Sequence, residues 1–151
     1  MAGARLPIDI QVDDALLRQS LAKLRTATGD LQPMFRDLGE ALLNSTRDRF
    51  ATFKSPSGTA WAALSPAYQK RKKQNKDKIL TLRDYLRGTL DYQVTKDALL
   101  VGTPNDKYAA THQFGDPRRN IPARPFLGIS PSDRNTIEET LRDHLRRAGV
   151  T

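Results

Sequence analysis

The chain of 151 residues contains no cysteine and no long apolar run. The lack of cysteine excludes disulfides, thiolate nucleophiles and cysteine-ligated zinc, and it suits a reducing compartment. No apolar run approaches the roughly 18 residues that indicate a membrane-spanning helix, and the N-terminus lacks the apolar core of a secretory signal. We therefore expect no membrane partner and a single domain, residues 1–151, that buries a core without disulfides or metal.

Patterns typical of catalysis or metal binding are also lacking. The two histidines, His112 and His144, lie far apart in the chain, and the acidic residues are scattered rather than spaced as Mg²⁺ ligands. No glycine-rich nucleotide-binding loop is present. His112 has no serine or cysteine beside it, so we expect His112 and Gln113 to hydrogen-bond loop backbone near Gly115. The sequence therefore favours a protein with no catalytic, cofactor-binding or metal-binding residues.

Positive charge is concentrated in the middle of the chain. Residues 51–125 carry fourteen Lys/Arg and six Asp/Glu, which accounts for the whole net charge of +8. Such a patch is typical of a protein that meets a polyanion, and a solvated lysine-rich loop explains it equally well. Tyr68, Tyr85 and Tyr92 lie in this section, and stacking on single-stranded bases is one role for them, but their loose spacing does not favour it over hydrophobic packing. The candidate residues for facing nucleic acid or a DNA channel are Lys70, Arg71, Lys72, Lys73, Lys76 and Lys78.

Apolar residues at helical spacing predict three amphipathic helices. The first runs from about residue 13 to 28, and the second from about residue 31 to 50 or 53, with Arg47 and Arg49 off its apolar stripe. The third begins after Ser130, which precedes a proline and therefore fits an N-cap. The three stripes are Leu17, Leu21 and Leu24; Leu31, Phe35, Leu38 and Leu42; and Ile137, Leu141, Leu145 and Ala148.

Between the second and third helices the sequence indicates strands rather than long helices. Alternating apolar residues predict a β-hairpin over residues 90–101 and a short strand at 126–129, and another short strand is expected at 6–12. The fold class is therefore α+β: N-terminal helices, a small and mostly antiparallel sheet with a hairpin, and a C-terminal helix.

Short helices and loops connect these elements. We expect one short helix after Ser65, an N-cap followed by proline, and two more at 82–87 and 108–114. Residues 54–80 and 115–121 are expected to be flexible loops because they are rich in turn-forming or charged residues.

The segment from Tyr108 to Gly128 indicates a positioning element. Pro122 and Pro125 each fix their own φ and favour an extended conformation in the preceding residue, so residues 121–124 should form a stiff strut. Trp61 is the only tryptophan, and we expect it to anchor its loop on the core rather than to bind a ligand.

Several motifs follow one another in a specific order. They are Ser55-Pro56-Ser57-Gly58-Thr59-Ala60-Trp61, Leu64-Ser65-Pro66, Val101-Gly102-Thr103, Tyr108-Ala109-Ala110, His112-Gln113-Phe114-Gly115 and Ile121-Pro122-Ala123-Arg124-Pro125-Phe126-Leu127-Gly128. In order and approximate spacing, over about residues 6–147, the chain resembles the virion morphogenesis, or tail-completion, proteins of Mu-like and related tailed phages. It departs from the family pattern at Gly115-Asp116-Pro117, where a second glycine is common.

The resemblance implies a non-enzymatic structural protein that acts late in virion assembly. Its place would be the head-proximal end of the tail or the head–tail joint, as a homo-oligomer, with a hexameric ring around the DNA channel as one form. The implied partners are tail-tube and head or neck proteins, together with non-specific DNA in the channel. The protein would reside in the virion tail or neck and, during assembly, in the host cytoplasm.

The resemblance assigns the motif residues to assembly or structure. Two other hypotheses stay open: a sequence-nonspecific nucleic-acid-binding protein that uses residues 70–78, and a metal-dependent nuclease. The assembly or structural residues are Trp61, Tyr108, His112, Gln113, Phe114, Gly115, Pro122, Arg124, Pro125, Phe126 and Gly128.

Overall fold

The structure is a computed structural model that describes residues 15–81, 85–104 and 106–150. These residues form the predicted α+β fold, in which the long helices stand at the two ends of the chain. None of the described helices is long and apolar enough to cross a membrane. The elements are α1 (Ala15–Thr28), α2 (Gln32–Thr52), α3 (Pro66–Arg71), α4 (Tyr85–Gly88), β1 (Asp91–Val94), β2 (Leu99–Gly102), α5 (Asp106–Phe114) and α6 (Pro131–Arg147).

Helix α2 is the central element, because it contributes to two apolar clusters. Met34 and Leu38, from its first half, pack with Leu24 of α1 and Leu141 of α6. The second half packs against the loops and short helices. We call this second group the Phe126 cluster: Leu43, Phe50, Trp61, Leu86, Leu90, Ala109 and Phe126.

The hairpin is antiparallel, as predicted, and it lies against α2. Strand β1 pairs with β2 in a register that sets Tyr92 opposite Val101. A Cβ added to Gly39 of α2 would lie 2.4 Å from the Tyr92 ring. The Tyr92 hydroxyl also donates to Glu40 at 2.9 Å. The absence of a side chain at Gly39 therefore allows β1 to pack closely against α2.

The N-cap predictions are confirmed. Ser65 accepts a hydrogen bond from the Tyr68 amide at the start of α3. At the start of α6, Ser130 and Asp133 form a capping box, in which each side chain accepts from the backbone amide of the other. The prediction of a strand at 126–129 is wrong, since these residues form no ladder. The strand expected at 6–12 lies outside the described residues, as does the first part of the helix expected at 82–87.

A buried ion pair joins α2 to α6. Arg49 donates to Asp133 at 2.5 Å, and both side chains are almost completely buried. Ser45 donates to the other carboxylate oxygen at 2.5 Å. A second nitrogen of Arg49 donates to the carbonyl of Phe126 at 2.7 Å. One guanidinium therefore connects α2, the start of α6 and the segment before it.

The expectation that Arg49 lies off the apolar stripe of α2 is thus wrong. Arg49 follows Leu42 by two helical turns, so it lies on the same side of the helix. Burial lowers the pKa of Arg49, and the neighbouring carboxylate of Asp133 opposes this effect. A buried cation of this kind is stable only with its carboxylate partner in place.

We predict that Asp133→Asn lowers the free energy of unfolding by about 3–5 kcal/mol, because it leaves the Arg49 charge buried without a counter-charge. Urea denaturation measures this loss as a lower midpoint. Ser130→Ala, which removes the cap but keeps the ion pair, should cost only about 1 kcal/mol.

The matched control is Glu138→Gln on the same helix, which breaks the exposed pair between Arg134 and Glu138. It should change stability by no more than about 1 kcal/mol. If Asp133→Asn and Glu138→Gln cost the same, the buried pair does not have the role assigned to it.

Candidate functional site

Three of the motif segments, residues 55–61, 108–115 and 121–128, meet around Trp61, and we call this meeting point the junction. The Trp61 ring is buried edge-on against Phe50, with ring centroids 5.5 Å apart and an interplanar angle of 81°. Its Nε1 donates to the carbonyl of Pro125 at 2.7 Å. Trp61 therefore anchors its loop on the core, as the sequence predicts. It also fixes residues 121–128, which we call the proline segment.

The loop before Trp61 is a closed turn. The Ser55 amide donates to Thr59 O at 2.8 Å, and Gly58 supplies the left-handed φ of +87° that the turn requires. Pro56 lies against Gly128, and a Cβ added to Gly128 would lie 2.7 Å from the Pro56 ring. The flexibility expected for residues 54–80 stays a prediction.

Gln113 uses its whole amide group on the proline segment. Its Oε1 accepts from the amides of both Phe126 and Leu127 at 3.0 Å. Its Nε2 donates to the carbonyl of Leu127, also at 3.0 Å. The expectation that Gln113 binds loop backbone is correct in kind, but the backbone is that of residues 126–127 rather than that near Gly115. These bonds satisfy the backbone amides of Phe126 and Leu127 and the carbonyl of Leu127, which have no neighbouring strand to pair with.

Arg124 joins the proline segment to the residues after Trp61. Its Nε donates to Ala62 O at 2.8 Å, and one terminal nitrogen donates to Ala63 O at 3.0 Å. Its amide donates to the His112 carbonyl at 2.6 Å. The side chain is buried, and burial lowers its pKa. Arg124 therefore links two segments inside the chain, and its side chain is not exposed for contact with another subunit.

Residues 115–121 form a tight turn that is closed by backbone hydrogen bonds. Gly115 has a φ of +76°, and an added Cβ would lie 2.8 Å from Ile121 O. Asp116 and Ile121 exchange two backbone hydrogen bonds of 2.8 and 2.9 Å. Asp116 also caps the turn and binds Arg119 at 2.7 Å, which lowers the pKa of Asp116. Asp116 thus fixes the turn through its side chain.

His112 departs from the expectation that its side chain binds loop backbone. Its Nδ1 is buried and has no hydrogen-bond partner among the described residues. Burial, followed by the positive charges of Arg124 and Arg119, lowers the pKa of His112. The other histidine, His144, lies half-buried on α6 and its Nε2 is 2.6 Å from an oxygen of Asp37.

The structure divides the basic segment into exposed and buried cations. Lys72 is buried, and its Nζ donates to the carbonyls of Asn75 and Lys78 at 2.7 and 2.5 Å. Burial lowers its pKa, an effect that Asp77 opposes. Lys72 is therefore removed from the candidates for facing DNA, since it closes a loop instead. The exposed candidates are Lys70, Arg71, Lys73, Lys76 and Lys78.

An open groove of about 1260 Å³ borders the junction, between α3, α4, α5 and residues 119–124. Tyr68, Tyr85 and Tyr108 line it, and all three are exposed. Tyr68 and Tyr85 are therefore not packed in the core, while Tyr92 does pack, on α2. Phe114 is also exposed but does not line the groove.

The polar side chains of the junction can be compared with the groups that a metal site requires. Within residues 15–81, 85–104 and 106–150, no three histidine, aspartate or glutamate side chains are grouped to hold a metal ion. The buried polar side chains of the junction, Gln113 and Arg124, instead bind main-chain atoms. What this arrangement does is to hold loop segments in fixed positions.

Sequence reasoning missed the groove and the burial of Arg49 and Lys72. Arg49 carried a usable signal, its two-turn spacing from Leu42. Lys72 carried none, because its neighbours Arg71 and Lys73 have the same character and are exposed. The groove combines residues from four separate segments, so only the tertiary fold brings them together.

Comparison with known proteins gives a consistent result. A model of the phage virion morphogenesis family matches residues 12–146. The chain is 29% identical over 153 aligned residues to the "Putative capsid assembly protein G" of Escherichia phage Mu, covering 95% of this chain and 97% of that protein. It is 28% identical to the "Mu-like prophage FluMu G protein 2" of Haemophilus influenzae, covering 92% and 96% of the two chains. No solved structure matches the chain.

We predict that stability falls as pH decreases below the ordinary pKa of histidine, about 6.5, because His112 is held neutral in the folded state. With the folded pKa lowered, the unfolded chain binds the extra proton, so stability rises with pH between the folded pKa and about 6.5. Urea denaturation at about pH 7.5 and about pH 5.5 measures the difference. His112→Gln should reduce it, by at most about 1.4 kcal/mol per pH unit.

The control is His144→Gln, which removes the other histidine and leaves the contribution of His112 in place. Identical pH dependence in the wild type and in His112→Gln would show that burial of His112 does not contribute.

Proposed function

Because the chain belongs to the phage virion morphogenesis family, we propose that it is a structural protein of tail completion. It acts at the head-proximal end of the tail or at the head–tail joint, in a structural rather than a catalytic role. The copies form a ring around the DNA channel, of which a hexamer is one form. Its place is the tail or neck of the virion, reached from the host cytoplasm during assembly.

The observation that carries this proposal is how the motif residues are used. Trp61, Gln113 and Arg124 each bind main-chain atoms of another segment. A catalytic site would instead direct such polar groups toward an open position where a substrate binds. Residues that hold loops rigidly suit a protein whose task is to present a fixed surface to neighbouring proteins, since a pre-organised surface loses less entropy on binding.

The charge distribution supports a ring that surrounds DNA. Five cations of the basic segment are exposed, and Lys70 and Arg71 lie side by side on α3. DNA in a channel presents phosphates without a defined sequence register. Exposed lysine and arginine side chains meet this need, because phosphate contacts are independent of sequence.

The test of tail completion is electron microscopy of particles from a phage or prophage that lacks this gene. We expect full heads and separate, unjoined tails, because the joint is not completed. Supplying the wild-type gene in trans should restore joined virions. Normal virions from the deletion would refute the proposal, and purified protein that stays monomeric at high concentration would refute the ring.

The test of DNA contact is a salt titration of binding to a short fluorescent duplex. Binding should weaken with a log–log slope of about −0.9 for each phosphate neutralised. Replacing Lys70, Lys73 and Lys76 with glutamine should make the slope shallower by up to about three phosphates' worth.

A control variant carries the same loss of charge elsewhere, with glutamine at the exposed positions Lys23, Arg142 and Arg147. It should keep the wild-type slope. Equal effects of the two triple variants would mean that only net charge matters, and an absence of binding at about 50 mM salt would remove DNA as a partner.

A further inference from the structure

The groove beside the junction presents aromatic surface that the fold itself does not use. Tyr85 and Tyr108 are 61% and 62% exposed, and Tyr68 is 38% exposed. All three line the same groove, together with aliphatic residues such as Leu64 and Ile121. Tyrosines concentrated at one exposed concave surface are typical of protein interfaces, because each offers a large rigid ring and a hydroxyl.

The groove is also positively charged. Arg71 is exposed along it, and the buried cations Lys72 and Arg124 lie in its wall. Arg119 also lines the groove, but its charge is paired with Asp116. Among the described residues that line the groove, none is an aspartate or a glutamate. The ordinary partner of such a surface carries negative charge, since complementary potentials steer and orient binding.

The wall chemistry favours a polypeptide over a nucleic acid. Lys72 and Arg124 already donate to main-chain carbonyls, so they contribute positive potential but few free donors. Arg119 is paired with Asp116, so Arg71 is left to supply few phosphate contacts, whereas nucleic acid is held by many. Aliphatic wall residues suit the side chains of a peptide. The volume of about 1260 Å³ also exceeds the roughly 300–1,000 Å³ of small-molecule pockets.

We propose that this groove docks an extended acidic segment of a neighbouring virion protein, with Tyr108 and Arg71 as contact residues. Apolar side chains of the segment lie between the tyrosines, and its carboxylates meet the exposed Arg71 in the positive potential of Lys72 and Arg124. The inference rests on the proposed assembly role for the source of the segment. It goes further in naming the surface and the chemistry of the partner.

The chain offers closely matched control positions. Tyr108 and Phe114 lie on the same helix, α5, and are 62% and 64% exposed, but only Tyr108 lines the groove. Arg71 and Lys70 are adjacent and exposed on α3, and only Arg71 lines the groove. Exposed positions of this kind tolerate substitution, and unchanged urea midpoints would confirm that each variant folds.

The binding experiment uses fluorescein-labelled peptides of about 15 residues that tile the head and tail proteins of the same phage. They are titrated with the full chain and followed by anisotropy. At least one acidic peptide should bind, and Tyr108→Ala and Arg71→Glu should each weaken it roughly tenfold or more. Phe114→Ala and Lys70→Glu should stay within about threefold of the wild type.

Three results would overturn the inference. One is that no acidic peptide of the set binds the wild type. Another is that each control variant weakens binding as much as its groove counterpart. The last is that binding is confined to an oligothymidine probe or to peptides of this chain, which would make the occupant a nucleic acid or a second copy.

Virion assembly separates this inference from the proposed function. If the gene deletion leaves unjoined tails but Tyr108→Ala and Arg71→Glu both restore normal virions, the groove inference fails and the assembly role stands. If the deletion gives normal virions, the assembly role fails, whatever the peptides do.

Discussion

The carboxylate of Asp133 accepts hydrogen bonds from Arg49 and Ser45 of α2 and from the amide of Ser130. Arg49 cannot remain buried without this carboxylate, so the start of α6 and the second half of α2 are held together. Arg49 also binds the carbonyl of Phe126, a residue with no exposed surface. The position of Trp61 depends on the same arrangement, because its Nε1 donates to the carbonyl of Pro125, which directly precedes Phe126. One buried ion pair therefore sets the position of the motif junction.

The junction and the groove are two sides of the same segments. On α5, Ala109 is buried in the Phe126 cluster and Gln113 holds the proline segment, while Tyr108 lies exposed at the groove. On the inner side, Trp61, Gln113 and Arg124 make their hydrogen bonds within the chain, whereas the buried Nδ1 of His112 has no partner among the described residues. The outer side is left with exposed aromatic rings and with Arg71, for which the described part of the fold shows no internal role. Such a division keeps an exposed surface in a fixed shape, and it suits a member of a family whose role is virion assembly.

The sequence predicted the features that depend on local spacing. The long helices, the caps at Ser65 and Ser130 and the hairpin follow from periodicity and from the chemistry of helix starts. The strand expected at 126–129 does not form. Gln113, thirteen residues before Phe126, supplies the hydrogen bonds to this backbone that a neighbouring strand would otherwise supply. The burial of Lys72 was also not predictable, since it depends on carbonyls that converge only in the folded loop. Residues whose roles come from distant partners need the tertiary structure.

The hydrogen bonds of the junction have a consequence for how the protein tolerates sequence change. Arg124 binds the carbonyls of Ala62 and Ala63, whose own side chains are exposed and take no part in the bond. Substitution at an acceptor position preserves its carbonyl, whereas substitution of Arg124 removes both donors. In each such contact, the residue whose side chain donates is therefore sensitive to mutation, while the residue whose carbonyl accepts is not. Related chains can drift widely along the acceptor stretches while a few donor side chains keep the architecture, which is compatible with relatives that share under a third of their residues over nearly the full length.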